Sequence, residues 1–459
     1  MRRIICVGLL AALVSVGFLS VRPDPKAIGQ QPNETENTAT TSEEEALIVH
    51  EWGTFTTFSG SDGVFLDFRP LANEVSDLPS FVRDRANSSA IPVLSKKRLR
   101  GRVRMETPVT YFYTDKVRDV EVKVGFPQGL LTEFYPPVKK MLPEFDPRVA
   151  YSEGEPLGDA LLDWGTVTLI PPSALAPNLA NDDLRARLSR HLANQAVPSD
   201  TVGGHYAQAR ATDSALVVAQ PPKNVWNLPN QEVFVEKFLF YRGVGKFDLP
   251  LNAIFDDSGD LTLANTIADP VTAAIRIDVK GDRITVSEFG AVAPGAKATA
   301  SSQVAMDMNQ LSKRVSEILV AEGLYQKEAD SMVNTWKRSW FGEEGSRVLY
   351  IVPPNMTDEL LPLTVKPVPD ETLRVLVGRM ELMSPEDEKK YVEAVRLSSL
   401  ARMEFTNNEG NKGKPFPISD GIRSFGRMTE PALVRVSKIA DDAKIRREAE
   451  WLIDQIRAE

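Results

Sequence analysis

"HEWGTFTTFSGSDG", residues 50–63, decides the fold, because its side chains sort in a way that suits the middle of a sheet. On a strand, successive side chains point to opposite faces. One face then carries Ile48, His50, Trp52, Thr54, Thr56 and Phe58, and the other Val49, Glu51, Gly53, Phe55 and Thr57. Neither face is purely apolar or purely polar, so a central strand is expected, covered on both sides and lining something with polar groups. His50, one of 3 histidines in the chain, and Glu51 fall on opposite faces and cannot act on one atom. Each needs its own partner. His50 has two readings: a satisfied histidine beside a packed Trp52, or part of the wall of a functional cleft.

Before this strand the chain is built for export. Arg2 and Arg3 precede an apolar run from Ile4 to Val21, so residues 1–21 read as a signal peptide or a signal anchor. A small-x-small site at Ser15 and Gly17 suits cleavage, and the full run is just long enough to be retained instead. Residues 22–46, rich in Pro, Gln, Thr, Asn and Glu, hold too little apolar surface to offset the entropy of ordering and read as a disordered tether. The expected location is therefore periplasmic or extracellular, with a membrane met only through a retained N-terminus. Cys6 is the sole cysteine and lies in the apolar run, so the exported part has no disulfide, thiol nucleophile or thiolate metal site.

After the strand, the spacing of apolar residues divides the chain. At 459 residues two or three folded units are expected. Residues 47–300 alternate at the period of strands and read as a β-rich, sandwich-like region. Within it, Gly281 and Asp282 form a two-residue hairpin turn that pairs Val279 with Ile284 and Ile277 with Val286. A second hairpin is expected around Ser258 and Gly259, where Asp256, Asp257 and Asp260 lack the spacing of a calcium loop and read as turn chemistry. Residues 301–384 combine two amphipathic helices over 303–338 with returning strands at "SRVLYIVP" and "ETLRVLVGRMEL". Ser384, Pro385 and Asp387 start a helix, and residues 385–459 form a helical C-terminal cap whose last helix carries Ile445, Ala449, Leu452, Ile453 and Ile456 on one stripe. The fold class is α+β, with β structure N-terminal and central and helices in the last third.

A formal net charge of −9 gives no reason to expect nucleic acid as the main partner. Chemistry rests on a few residues. His50, His205, Glu106 and Glu51 form a possible zinc set, but no close motif joins them and His191 sits apart, so no metal or other cofactor is expected. Glu343 and Glu344 are adjacent acids beside Trp340 and Phe341, a pattern that suits glycoside hydrolysis if the carboxyls face each other across the bond and a solvated surface pair if they do not. From Lys96 to Arg104, six of nine residues are cationic, and a strand would project Arg100, Arg102 and Arg104 from one face. Such a row grips phosphate or carboxylate groups of an anionic glycan or lipid, or else pairs with the protein's own acids. Trp52 and Trp340 are the aromatic candidates for binding.

Four phrases, "VHEWGTFTTFSGSDG", "RMETPVTYFYT", "EKFLFYRGVGKFDLPL" and "TWKRSWFGEEGSRVLYIVPP", together resemble an uncharacterised family of exported bacterial proteins, over about residues 47 to 385. The resemblance brings no activity or catalytic residue. It implies that the four phrases meet in space. The expected role is a binding or structural module for an anionic or glycan component of the cell envelope. The alternative is an envelope hydrolase whose cleft is built around His50 and nearby carboxylates.

Overall fold

Thirteen residues, Leu47–Ser59, form the first strand, and all but Ile48 are buried. The computed structural model describes residues 46–71, 78–84, 99–144, 158–175, 204–219 and 234–458. Residues 1–45, which hold the apolar run and nearly all of the segment read as a tether, lie outside the described residues, as do Lys96 to Arg98 and His191. No described helix is long and apolar enough to cross a membrane.

The strands run in order β1 (Leu47–Ser59), β2 (Arg83–Asp84), β3 (Val103–Thr114), β4 (Arg118–Phe126), β5 (Gly129–Tyr135), β6 (Lys140–Leu142) and β7 (Ala160–Ile170). After helix α1 (Gly204–Gln208) come β8 (Leu216–Ala219), β9 (Phe234–Glu236), β10 (Leu239–Gly245), β11 (Leu251–Phe255) and β12 (Leu261–Asn265). The hairpin β13 (Ala274–Lys280) and β14 (Arg283–Glu288) is followed by β15 (Lys297–Thr299) and β16 (Val304–Met306). Helices α2 (Met308–Ala321) and α3 (Gln326–Phe341) then lead to β17 (Gly345–Val352), α4 (Pro354–Leu360), β18 (Leu363–Lys366) and β19 (Glu371–Leu382). The chain closes with α5 (Pro385–Asn407), α6 (Asp420–Arg423), α7 (Thr429–Ile439) and α8 (Ala443–Ala458). The fold is α+β and β-rich, with its long helices in the last third.

One ten-stranded sheet organises the molecule, in the order β16-β14-β13-β17-β19-β1-β3-β10-β5-β2. β1 lies inside it, parallel to β19 and antiparallel to β3. Val49 and Phe55 on one face join a core with Val122 and Trp164 of the six-stranded sheet and Leu263 of the three-stranded sheet. Trp52 on the other face joins a core with Leu311 and Leu319 of α2 and Met332 and Trp340 of α3. Sheet-on-sheet packing on one side and helices on the other explain why β1 needs apolar groups on both faces.

The three segments read from the changing period are not separate bodies. Residues 45–459 make one compact unit, because β17 and β19 return from late in the chain to complete the sheet between β13 and β1. Two local expectations hold in detail. The β13–β14 hairpin pairs Val279 with Ile284 and Ile277 with Val286, and Gly281 turns at φ +57°, where a side chain is strained. In the β11–β12 loop the Asp256 carboxylate accepts from the amides of Ser258 and Asp260, which is turn chemistry. Two expectations shift. Val304 to Met306 belong to an edge strand, and α2 starts only after the Asp307 cap. The arginine-bearing strand begins at Val103, leaving Arg100 and Arg102 ahead of it.

Candidate functional site

The helix-facing side of β1 carries a polar cluster built around His50. His50 projects from β1, Tyr113 from the far end of β3, and Glu328 from the first turn of α3. Glu328 is 0% exposed and accepts three bonds, each 2.8 Å long: from His50 Nδ1, from the Tyr113 hydroxyl and from the Tyr325 amide. The last closes the turn at the start of α3, where an acid three residues into a helix reaches back to the residue before it. With Nδ1 turned to Glu328, Nε2 is the ring nitrogen left open, and in the tautomer that carries its proton on Nδ1 it holds a lone pair.

His50 is 1% exposed, and its Nε2 has no hydrogen-bond partner among the described residues. The Tyr325 ring covers it at 4.5 Å between centroids and is itself 43% exposed. Tyr113 packs edge-on to both, 5.5 Å from His50 and 5.0 Å from Tyr325. Burial and then the adjacent Glu328 charge hold the Tyr113 hydroxyl far above the ordinary phenol range, so it stays a donor. The cluster is a carboxylate-oriented imidazole beneath a half-exposed aromatic lid.

Glu51 takes the other face, as the alternation requires. Its carboxylate holds Arg374 through bonds of 2.8 and 2.6 Å and accepts the hydroxyls of Thr110 at 2.8 Å and Tyr241 at 2.6 Å. Arg374 also reaches Asp358 of α4 at 2.9 Å. Burial opposes the Arg374 charge, but Glu51 and its neighbours outweigh it and raise the guanidinium above its ordinary value. Glu106 is bound by Arg104 and by the Thr56 hydroxyl, each at 2.9 Å. Both acids are internal counter-ions.

The remaining candidates separate. His205 lies on α1 with Arg242 Nη2 3.4 Å from its Nε2 and the Trp336 ring at 6.1 Å. Among the described residues, no group of three or more His, Cys, Asp or Glu gathers within reach of one metal ion. Glu343 and Glu344 do not face each other across a bond. Glu343 binds Arg379 at 3.1 Å and also Arg427, whereas Glu344 accepts the Gly281 amide of the β13–β14 turn at 2.9 Å.

The binding candidates are corrected in the same way. Trp52 and Trp340 are fully buried in the core under α2 and α3 and present no face to a ligand. The arginine row is used by the protein's own acids: Arg102 binds Asp67 at 2.9 Å and also Asp248, and Arg104 binds Glu106. Arg100 is exposed and lies in the field of Glu430 on α7. The four quoted phrases do meet, since β1, β3 and β10 are successive strands of the large sheet and β17 lies one strand beyond on the other side of β19. Sequence reasoning missed Glu328, Tyr113 and Tyr325. A glutamate three residues after the cap of α3 was the available signal, hidden because Tyr325 replaces the usual Ser, Thr, Asp or Asn there. No protein-family model matches the chain, and no curated protein matches it.

Proposed function

We propose that this is an exported protein of the cell envelope, periplasmic or extracellular, that acts by binding a glycan rather than by cleaving one. One observation carries the reading: of the candidate carboxylates, Glu51, Glu106 and Glu343 are each held by a guanidinium, and Glu344 accepts the Gly281 amide instead of facing Glu343. A glycosidase needs two carboxyls facing one bond across about 5–10 Å, and these carboxylates are taken up one by one in separate ion pairs and a turn. Of the two expected ligand classes, a glycan is favoured over a polyanion because Arg102 and Arg104 already carry acidic partners.

Titration calorimetry with a soluble N-acetylhexosamine tetrasaccharide and, separately, with anionic lipid vesicles tests this. The tetrasaccharide is expected to bind without being shortened, with little dependence on salt. Binding to the vesicles alone overturns the glycan reading. Export rests on Arg2, Arg3 and the Ile4–Val21 run. Intact mass of protein from its native host should show the N-terminal segment removed, and a full-length, membrane-free cytoplasmic species sinks this part of the reading.

A second reading, an envelope hydrolase, is favoured by the His50–Glu328 pair, since a carboxylate that fixes one ring nitrogen leaves the other as a base, as in hydrolytic triads. Shortened products from the tetrasaccharide, lost in His50→Gln, would establish it in place of simple binding.

A further inference from the structure

His50 Nε2 is a buried polar atom without a partner among the described residues, and unlike the other such atoms it lies beneath a partly exposed aromatic ring. The other polar groups of the cluster, the Tyr113 hydroxyl, the Tyr325 amide and His50 Nδ1, all converge on Glu328. Leaving a buried acceptor unmade costs about 1–3 kcal/mol, so such an atom calls for a partner supplied from outside the chain. Its chemistry is fixed from the opposite side of the ring. Nδ1 is engaged by Glu328, and in the tautomer that donates along that bond Nε2 is an acceptor that lacks an O–H or N–H donor.

One of the rings packed on His50 is open to solvent. Tyr325 lies between α2 and α3, two residues after Gly323, which takes φ +106°. Its ring rests on His50 at 4.5 Å and on Tyr113 at 5.0 Å while 43% of the residue faces solvent. Its backbone is pinned by the bond from its amide to Glu328, so the side chain can swing without disturbing the start of α3. Rotamer changes of exposed side chains take picoseconds to nanoseconds and set no barrier to entry. A turned tyrosine would uncover Nε2 and present a flat apolar face beside it, which is the pairing a sugar ring uses: carbon–hydrogen bonds against an aromatic face and a hydroxyl to a fixed acceptor.

We infer that His50 and Tyr325 form a sugar-binding subsite, in which Tyr325 swings aside to stack on the pyranose and a ring hydroxyl donates to His50 Nε2, with Glu328 and Tyr113 fixing the imidazole. This rests on the glycan-binding reading and gives it a place. Tyr113 and Glu328 act through His50 and are positioning residues.

The test has two readouts. Histidine-selective ¹⁵N spectra of the whole exported chain at neutral pH should show His50 protonated at Nδ1 and bare at Nε2, and the soluble N-acetylhexosamine tetrasaccharide should shift the Nε2 signal. Calorimetry should show affinity for the same tetrasaccharide reduced at least tenfold in Tyr325→Ala and in His50→Gln, with thermal midpoints near that of the parent. Tyr325→Ala keeps the experiment decisive if His50→Gln fails to fold, because it removes a half-exposed ring. A tetrasaccharide that binds the parent and both variants equally leaves the glycan reading standing and overturns this subsite. A parent that binds no tetrasaccharide overturns both, and an Nε2 found protonated in the free protein overturns the subsite whatever binds.

Discussion

At the scale of single residues, the two candidates adjacent in the sequence, His50 and Glu51, meet opposite fates because a strand sends them to different faces. Glu51 is locked in an ion pair and two hydroxyl bonds, and this predicts how its loss would be felt. Removing one member of a buried pair strands the other, at about 3–5 kcal/mol, whereas exchanging both for groups of similar shape is often close to neutral. Arg374→Met should therefore lower unfolding free energy by about 3–5 kcal/mol in urea titrations. Adding Glu51→Gln should recover more than half of the loss, because the glutamine oxygen still accepts from Thr110 and Tyr241 while the stranded charge is gone. A double variant no better than the single one would mean that Glu51 is not the charge left behind. His50 shows the limit of legibility at this scale. Alternation in the sequence assigned its face, but its partner is 278 residues away, and no local spacing points to Glu328.

At the scale of elements, period and turn chemistry read well wherever the forces are local. The β13–β14 register, the start of α5 at Ser384 and the last-helix stripe are fixed by neighbouring residues, and each is found. The reading slipped where tertiary pairing overrides the local pattern. Val304 fits the helical period, yet it pairs with Val286, and Met306 with Ile284, as an edge strand. Next to that edge, Arg314 of α2 grips Glu288 at the end of β14 with bonds of 2.7 and 2.8 Å. The bond to Arg314 holds the Glu288 carboxyl below its ordinary value although partial burial opposes this. A carboxyl depressed in the fold contributes stability above its unfolded value and loses it as pH falls through the lower folded value. Both side chains are more than a third exposed, so the effect is small, about 0.5 kcal/mol. Thermal melts of Arg314→Ala should show a slightly lower midpoint than the parent at pH 7 and a difference that shrinks below about pH 4. A gap that grows on acidification would contradict the pairing.

At the scale of the whole molecule, the sequence marks the order of helices and strands but not which strands become neighbours. β1 and β19 lie side by side in parallel, with Val49 beside Thr372 and Phe55 beside Gly378, although more than 300 residues separate them. Parallel pairing of this kind needs a connection from one end of the sheet back to the other, and nothing in either strand's own residues specifies its partner. That closure has a consequence for divisibility. Read by period alone, residues 47–300 look like a domain, yet in the sheet β17 and β19 stand between β13 and β1, so residues 46–300 would leave the middle of the sheet empty. β1 would lose its parallel partner and expose a buried strand edge, and Trp52 would lose the core it shares with α2 and α3. Open, apolar strand edges pair with other chains. A fragment of residues 46–300 should therefore be recovered as aggregate or without a cooperative melt, whereas residues 46–458 should unfold in one transition by circular dichroism and by tryptophan fluorescence alike. A soluble fragment that melts cooperatively would show that the N-terminal strands close without the returning pair, and the single shared sheet would not be what holds the molecule together.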